Sequence, residues 1–306
     1  MSMDNADTGP RHVTRRRLRA PIVVLPLLVL LALLSGAKCY PAGTRVVIFV
    51  QGLYTSFDAS GAQGTLAEVH RFDGLKVAFA AKGYAPSALL DFSYAGGTVS
   101  SDGTWHPASY TCEQTDRFPT DNLAVMEQML KSYRKAHPNA HFTLVGHSVG
   151  GYLSFLEGAR DAARPPEQKL GIDVVVTLDA PLKGISADKK IIIDLLPCNK
   201  TYLAGGDLVA RKLDATTPDV RRYQAAVMAE AGVRVATLGN EFDCLFNTGQ
   251  CVAGGTFIDD TETMFLDGQA SISKHYRIEA SPFLSHDAIV ADPNVITDAV
   301  AFVGAP

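Results

Sequence analysis

Five consecutive apolar residues, Val46-Val47-Ile48-Phe49-Val50, constrain the fold of this chain more than any other feature. Successive side chains of a strand point to opposite faces. A strand built from such a run offers no polar face to water and must be covered on both sides. Largely apolar runs recur at His141 to Val145, Ile172 to Leu178 and Val233 to Leu238, with Ala88 to Tyr94 and Tyr276 to Ala280 as further strand candidates. Helix-period segments lie between them. Leu66 to Lys82 reads as a helix stopped by Gly83. Thr120 is placed to cap a helix that carries Leu123, Met126, Leu130 and Tyr133 on one face, has cations in its last turns and ends at Pro138. Val149 to Ala159 forms a helix rich in small residues, and Asp292-Pro293 opens a last one with Ile296, Val300 and Val303 inward. Strands alternating with helices predict an α/β fold, a mostly parallel central sheet with helices on both faces.

Two segments break the alternation. Gly96 to Pro119 has no periodicity and exceeds ordinary connections, which marks it as functional or disordered. The span 183–232 lies between two strands, has room for a few helices and reads as a lid or cap over the sheet. At 306 residues with 47% apolar content, one large core accounts for the chain. Basic and acidic residues number 28 and 32, so charge gives no signal for a nucleic-acid partner.

Basic residues cluster at one end only. Arg11, Arg15, Arg16, Arg17 and Arg19 precede a fourteen-residue apolar run, Pro21 to Leu34. That is short of the roughly 20 residues a bilayer-spanning helix needs. Small residues Ser35, Gly36 and Ala37 follow. This is the layout of a secretory signal, so residues 1–37 are expected to be cleaved after Ala37 and the protein to be secreted or periplasmic. The alternative is an uncleaved N-terminal membrane anchor. Cleavage removes five Arg and two Asp, taking the net charge from −4 to about −7, which argues against electrostatic attachment to anionic membranes.

Five cysteines suit an oxidising compartment. Cys244 and Cys251 are close enough to staple one loop, Cys112 and Cys198 are a second candidate pair, and Cys39 is left over. No C-x-x-C or Cys/His ligand spacing occurs, so no metal site is expected.

The chemistry concentrates in Gly146-His147-Ser148-Val149-Gly150, with Gly151 next. It follows an apolar strand candidate and precedes the small-residue helix. A sharp strand-to-helix turn holds such a serine in strained backbone geometry, with glycines where no bulky neighbour fits. The turn aims Oγ off the carboxyl edge of the sheet, beside a helix N-terminus whose free N–H groups stabilise negative charge. A serine is inert at neutral pH unless a base takes its proton. Of eight histidines, His286 is best placed, in Phe283-Leu284-Ser285-His286-Asp287 between the last strand candidate and the final helix. His147 adjoins the serine, but a turn directs adjacent side chains apart. His70, His106, His137 and His141 precede Ser148 and break the Ser–acid–His order, and His275 starts a strand candidate.

An acid is expected between Ser148 and His286, at a strand end, to orient the imidazole and stabilise its cation. Val233 to Leu238 leads into Gly239-Asn240-Glu241-Phe242-Asp243-Cys244, and Asp243 is the first choice, held by a Cys244–Cys251 bridge. Glu241 and Asp179 are the alternatives, Asp179 ending the preceding strand in Leu178-Asp179-Ala180-Pro181. Oxyanion donors are expected from the backbone N–H groups of Val149 and of Leu53, in the loop Gln51-Gly52-Leu53-Tyr54.

Val47 to Gly52, Gly146 to Gly151, Thr177 to Pro181 and Ser285-His286-Asp287 resemble, in this order, the signatures of the α/β-hydrolase superfamily. Their spacing is most similar to its lipase and esterase branch, including bacterial lipase-like and GPI-inositol-deacylase-like groups. The resemblance covers about residues 44–304. It implies an eight-stranded, mostly parallel sheet, a lid after the sixth strand, no cofactor, and acyl-enzyme chemistry. Two positions depart from the pattern. Gln51 stands where many relatives have His before the oxyanion glycine, and Asp179 where many have Gly or Thr before the proline. The expected activity is that of an esterase or lipase acting through an acyl-enzyme on Ser148. The alternatives are a thioesterase, amidase or acyltransferase using the same triad, or a binding protein that keeps the fold without turnover. The expected partner is an ester substrate, and Ile191-Ile192-Ile193 with Leu195-Leu196 hint at a lipid or other hydrophobic ester. No obligate protein partner is implied.

Overall fold

Every buried-strand candidate before residue 240 forms a strand. The structure, a computed structural model, describes residues 44–59, 71–182, 184, 218–240, 272–278 and 286–306. The expected leader at residues 1–37 therefore lies outside the described residues. In chain order the strands are β1 (Arg45–Val50), β2 (Leu89–Asp91), β3 (Gly97–Val99), β4 (Trp105–Pro107), β5 (His141–His147), β6 (Ile172–Leu178), β7 (Arg234–Asn240) and β8 (Ile272–Tyr276). The helices are α1 (Asp73–Ala81), α2 (Cys112–Thr115), α3 (Pro119–Ala136), α4 (Val149–Ala162), α5 (Pro218–Glu230) and α6 (Pro293–Val303). Six strands make one sheet in the order β2-β1-β5-β6-β7-β8, and every neighbouring pair is parallel. β3 and β4 form a separate antiparallel pair. The resemblance implies eight strands in one sheet; among the described residues that sheet has six.

Alternation along β1 generates the layers. Val46, Ile48 and Val50 enter a core with Met126, Leu144, Phe155 and Val175, under α3, α4 and α5. Val47 and Phe49 enter a second core with Leu75, Val145, Leu238 and Val300, under α1 and α6. All five side chains are fully buried. Each contributes about 1.5–3 kcal/mol on burial, so this one run anchors both layers at once. The turn from α4 to β6 is fastened by Asp161, whose carboxylate accepts from the backbone N–H groups of Leu170, Gly171 and Ile172.

Two local expectations change, at the start of α3 and at the last strand. The first helix is described from Asp73, and residues 60–70 of the Leu66 to Lys82 candidate lie outside the described residues. α3 starts at Pro119 with Phe118 at its cap position, so Thr120 is inside the helix. Proline fits that first turn because its missing N–H would have no intrahelical partner. The last strand is Ile272–Tyr276, where Tyr276 to Ala280 was expected. It lies at the sheet edge with Lys274 and His275 exposed, so it lacks the apolar run that marks a covered strand. Gly96 to Pro119 is ordered, holding β3, β4 and α2, and Trp105 is buried there with Nε1 donating to the Asp91 carbonyl at 2.9 Å. Within the expected lid, residues 183 and 185–217 lie outside the described residues. Its described end is α5, whose Ala225 and Met228 are fully buried in the first core. Cys112 is disulfide-bonded, and the other four cysteines lie outside the described residues.

Candidate active site

In the sheet, β1 is flanked by β2 on one side and β5 on the other, so the chain reverses its direction of travel between β1 and β5. Open parallel sheets leave a crevice at the carboxyl ends of the strands flanking such a reversal. Gln51 and Gly52 leave β1 at that point, and Ser148 leaves β5.

The backbone there is strained. Ser148 has φ 56° and ψ −129° between β5 and α4. Among the described residues, the non-glycine residues with positive φ are Tyr54 (62°), Ser148 (56°) and Asp179 (48°). They follow the ends of β1, β5 and β6. Each such residue costs about 1–3 kcal/mol and persists only where its surroundings over-determine it. The surroundings here do so. Ser148 N–H donates to the Leu178 carbonyl at 2.9 Å, and its own carbonyl accepts from Tyr152 N–H at 3.1 Å. A Cβ on Gly150 would fall 2.2 Å from the carbonyl oxygens of both Val50 and Gln51, so α4 starts directly against the backbone leaving β1. A Cβ on Gly52 would fall 2.9 Å from Ser148 Cβ and 3.4 Å from its Oγ. Thus the loop carrying Leu53 adjoins the serine, and Val149 is the first residue of α4, where N–H groups lack intrahelical acceptors.

His286 is the first residue of the described segment 286–306, and its Nδ1 lies 3.0 Å from Asp179 Oδ2. The side chains are 12% and 0% exposed. Asp179 Oδ1 also accepts from Asn240 N–H at 2.9 Å, and Asp179 N–H donates to the Leu238 carbonyl at 2.8 Å. A carboxylate only accepts, so Nδ1 of His286 is the donor in this contact, and in the neutral ring Nε2 is then the nitrogen with the lone pair. Asp243, the first choice for this carboxylate, and Glu241 lie outside the described residues. An imidazole Nδ1 has one proton to donate, and it faces Asp179. Among the described residues, Asp179, the alternative carboxylate, is the one that His286 meets.

His147 precedes the serine and is fully buried. Its ring centroid is 4.5 Å from that of His286, its Nε2 is 2.8 Å from the His286 carbonyl, and its Nδ1 is 3.3 Å from Arg71 Nη1. Burial, then the charges of His286 and Arg71, hold its pKa well below the ordinary 6.5, so this imidazole is neutral. Arg71 also bridges to Asp287 at 2.9 Å.

The loop after β1 is fastened by side chains for which the sequence carries no periodic signal. Tyr94 OH donates to the Gln51 carbonyl at 2.6 Å, Thr55 Oγ1 to the Gly52 carbonyl at 2.9 Å, and Tyr54 N–H to Thr115 Oγ1 at 2.9 Å. Tyr110 OH lies 3.1 Å from Thr55 Oγ1. Burial, and next Tyr110, push the Tyr94 hydroxyl well above its ordinary 10, so it remains a donor. Beyond Asp179, Arg221 Nε donates to the Leu182 carbonyl at 2.6 Å and Nη2 to Tyr152 OH at 3.0 Å. Among the described residues, no three His, Cys, Asp or Glu side chains form a group able to hold a metal ion.

The sheet order, the strained serine at its reversal point and the carboxylate-bound histidine define the α/β-hydrolase fold. No protein-family model matches the sequence, and no curated protein matches it. Among solved structures, the product of gene lin2722 from Listeria innocua is similar with a TM-score of 0.51 and 13% identity, covering 85% of this chain and 94% of that one. Est1E from Butyrivibrio proteoclasticus has a TM-score of 0.46 at 11% identity, with 87% and 89% covered. A lipase-esterase related protein from Clostridium acetobutylicum has a TM-score of 0.43 at 12% identity, with 85% and 94% covered. At 13% identity the likeness to the Listeria innocua protein is one of fold.

Proposed function

We propose that the protein is a serine hydrolase of carboxylic esters, an esterase or lipase, with Ser148 as nucleophile, His286 as general base and Asp179 as the acid that orients it. One observation carries this reading: the imidazole of His286 is hydrogen-bonded to a buried carboxylate 107 positions away and lies against the ring of His147, the residue before the strained Ser148. An ester is the favoured substrate because the ordered motifs resemble the lipase and esterase branch.

His286 Nε2 takes the Oγ proton as Ser148 attacks the acyl carbon. The oxyanion accepts hydrogen bonds from the N–H groups of Val149 and Leu53, and losing one such donor typically lowers kcat by about 10²–10³. The imidazolium, stabilised by Asp179, protonates the departing alcohol and leaves an acyl group on Ser148. Water then gives its proton to His286 and attacks the acyl carbon; the acid leaves as Ser148 Oγ regains the proton.

The test is a fluorophosphonate probe, with the adduct mapped by peptide mass spectrometry, beside a chain-length series of p-nitrophenyl esters. The expected result is one adduct on Ser148, absent in Ser148→Ala, with ester turnover. Folded protein that takes no label would sink the reading. Labelling with turnover of thioesters alone would replace the ester by a thioester.

A further inference from the structure

We infer that His147 and Arg71 form a strut that sets the imidazole of His286 against Ser148, a positioning role that rests on the catalytic reading of Ser148, His286 and Asp179. His147 is the last residue of β5 and the neighbour of the nucleophile. Its Nε2 faces the His286 carbonyl at 2.8 Å. A carbonyl only accepts, so this nitrogen carries the proton. Nδ1 then holds a lone pair, and Arg71 Nη1, which only donates, faces it at 3.3 Å. One neutral tautomer satisfies both contacts. The same Arg71 nitrogen is 2.9 Å from Asp287 Oδ1.

Residue 286 is therefore gripped through its main chain by His147, and residue 287 through its side chain by Arg71. Both grips lead back to the end of β5, one residue from Ser148. Asp179 fixes the imidazole from the other side, through Nδ1 and the end of β6. The Nδ1 hydrogen bond to Asp179 fixes one edge of the ring and by itself allows rotation about that bond. A fixed main-chain carbonyl, with the His147 ring tilted 38° against the His286 ring, removes that freedom. A buried imidazole is unfavourable unless its polar atoms are paired, and an apolar side chain would fill the same space without that demand. The polar pairing is explained by what it holds. Misplacing a catalytic group by about 1 Å lowers the rate by about 10²-fold.

Four single variants and the double variant His147→Phe/Arg71→Met test the strut, each read by kcat and KM for p-nitrophenyl butyrate, the rate of Ser148 phosphonylation, and the melting temperature. His147→Phe keeps a ring without a donor, His147→Gln keeps an N–H donor, and Arg71→Met and Asp287→Asn break the outer links. His147→Phe and Arg71→Met should each lower kcat and the phosphonylation rate by about 10- to 100-fold with KM little changed. His147→Gln should recover part of the loss, and the double variant should be no slower than His147→Phe alone, because both break one chain. A lower melting temperature with unchanged kcat, or losses that multiply in the double variant, overturns the strut. Should His147→Phe fail to fold, Arg71→Met and the half-exposed Asp287→Asn carry the test, and unchanged kcat in both overturns it. Wild-type protein inert to the fluorophosphonate overturns the strut together with the catalytic reading. Reactive wild type with unaffected variants overturns the strut alone.

Discussion

A buried imidazole records in its pKa what surrounds it. His147 is held well below 6.5 by burial and by its neighbours His286 and Arg71, so the folded protein binds its proton later than the unfolded chain does as pH falls. Its stabilising contribution is fully present above about pH 6.5 and is lost as pH drops from there towards the folded-state value. Urea unfolding of wild type and His147→Gln at pH 7.5 and at pH 5 should show wild type losing more stability on acidification. Equal losses would contradict a neutral, buried His147. The same residue marks a limit of sequence reading. The strained turn at Ser148 is legible because its motif sits at a predictable strand end. The partners of His147 are not, because Arg71 is 76 positions away and no periodicity links the two. Tyr94, Thr55, Tyr110 and Thr115 carry no periodic signal either, because each fastens the loop after β1 through a single hydroxyl.

At the scale of elements, legibility followed coverage. β1, β5, β6 and β7 are covered on both faces, so their apolar runs announce them; β6 falls on the expected residues, Ile172 to Leu178. β8 is an edge strand with two exposed residues, and its expected position was displaced towards the chain end. β3, β4 and α2 are too short for a period to show, yet they deliver Tyr110 and Thr115 to the loop beside the nucleophile. The junction of β1 with α4 carries the clearest steric demand. In Gly150→Ala the new methyl would meet two backbone carbonyl oxygens at 2.2 Å, and backbone cannot rotate aside as a side chain can. Overpacking of that kind costs at least about 1–3 kcal/mol, and the strain falls on the turn that holds Ser148. A lower melting temperature and slower phosphonylation of Ser148 are expected. A variant matching wild type in both would show that α4 does not rest on β1 as described.

For the whole molecule, the parallel sheet is what turns chain separation into proximity. The ends of β5, β6 and β7 bring Ser148, Asp179 and Asn240 to one edge, and the turn before α6 delivers His286 to the same place. The order of strands and helices foretells that convergence. It does not foretell which strand end supplies the carboxylate, because Asp179 and Asp243 both follow strands in the right order; the contact of His286 Nδ1 is what favours Asp179. Turnover of p-nitrophenyl butyrate by Asp179→Asn and by Asp243→Asn therefore tests the account most directly. Asp179→Asn should lower kcat by about 10⁴-fold, the loss seen when a triad carboxylate becomes an amide, while Asp243→Asn stays within about tenfold of wild type. Near-normal kcat in Asp179→Asn, or the larger loss in Asp243→Asn, would contradict it.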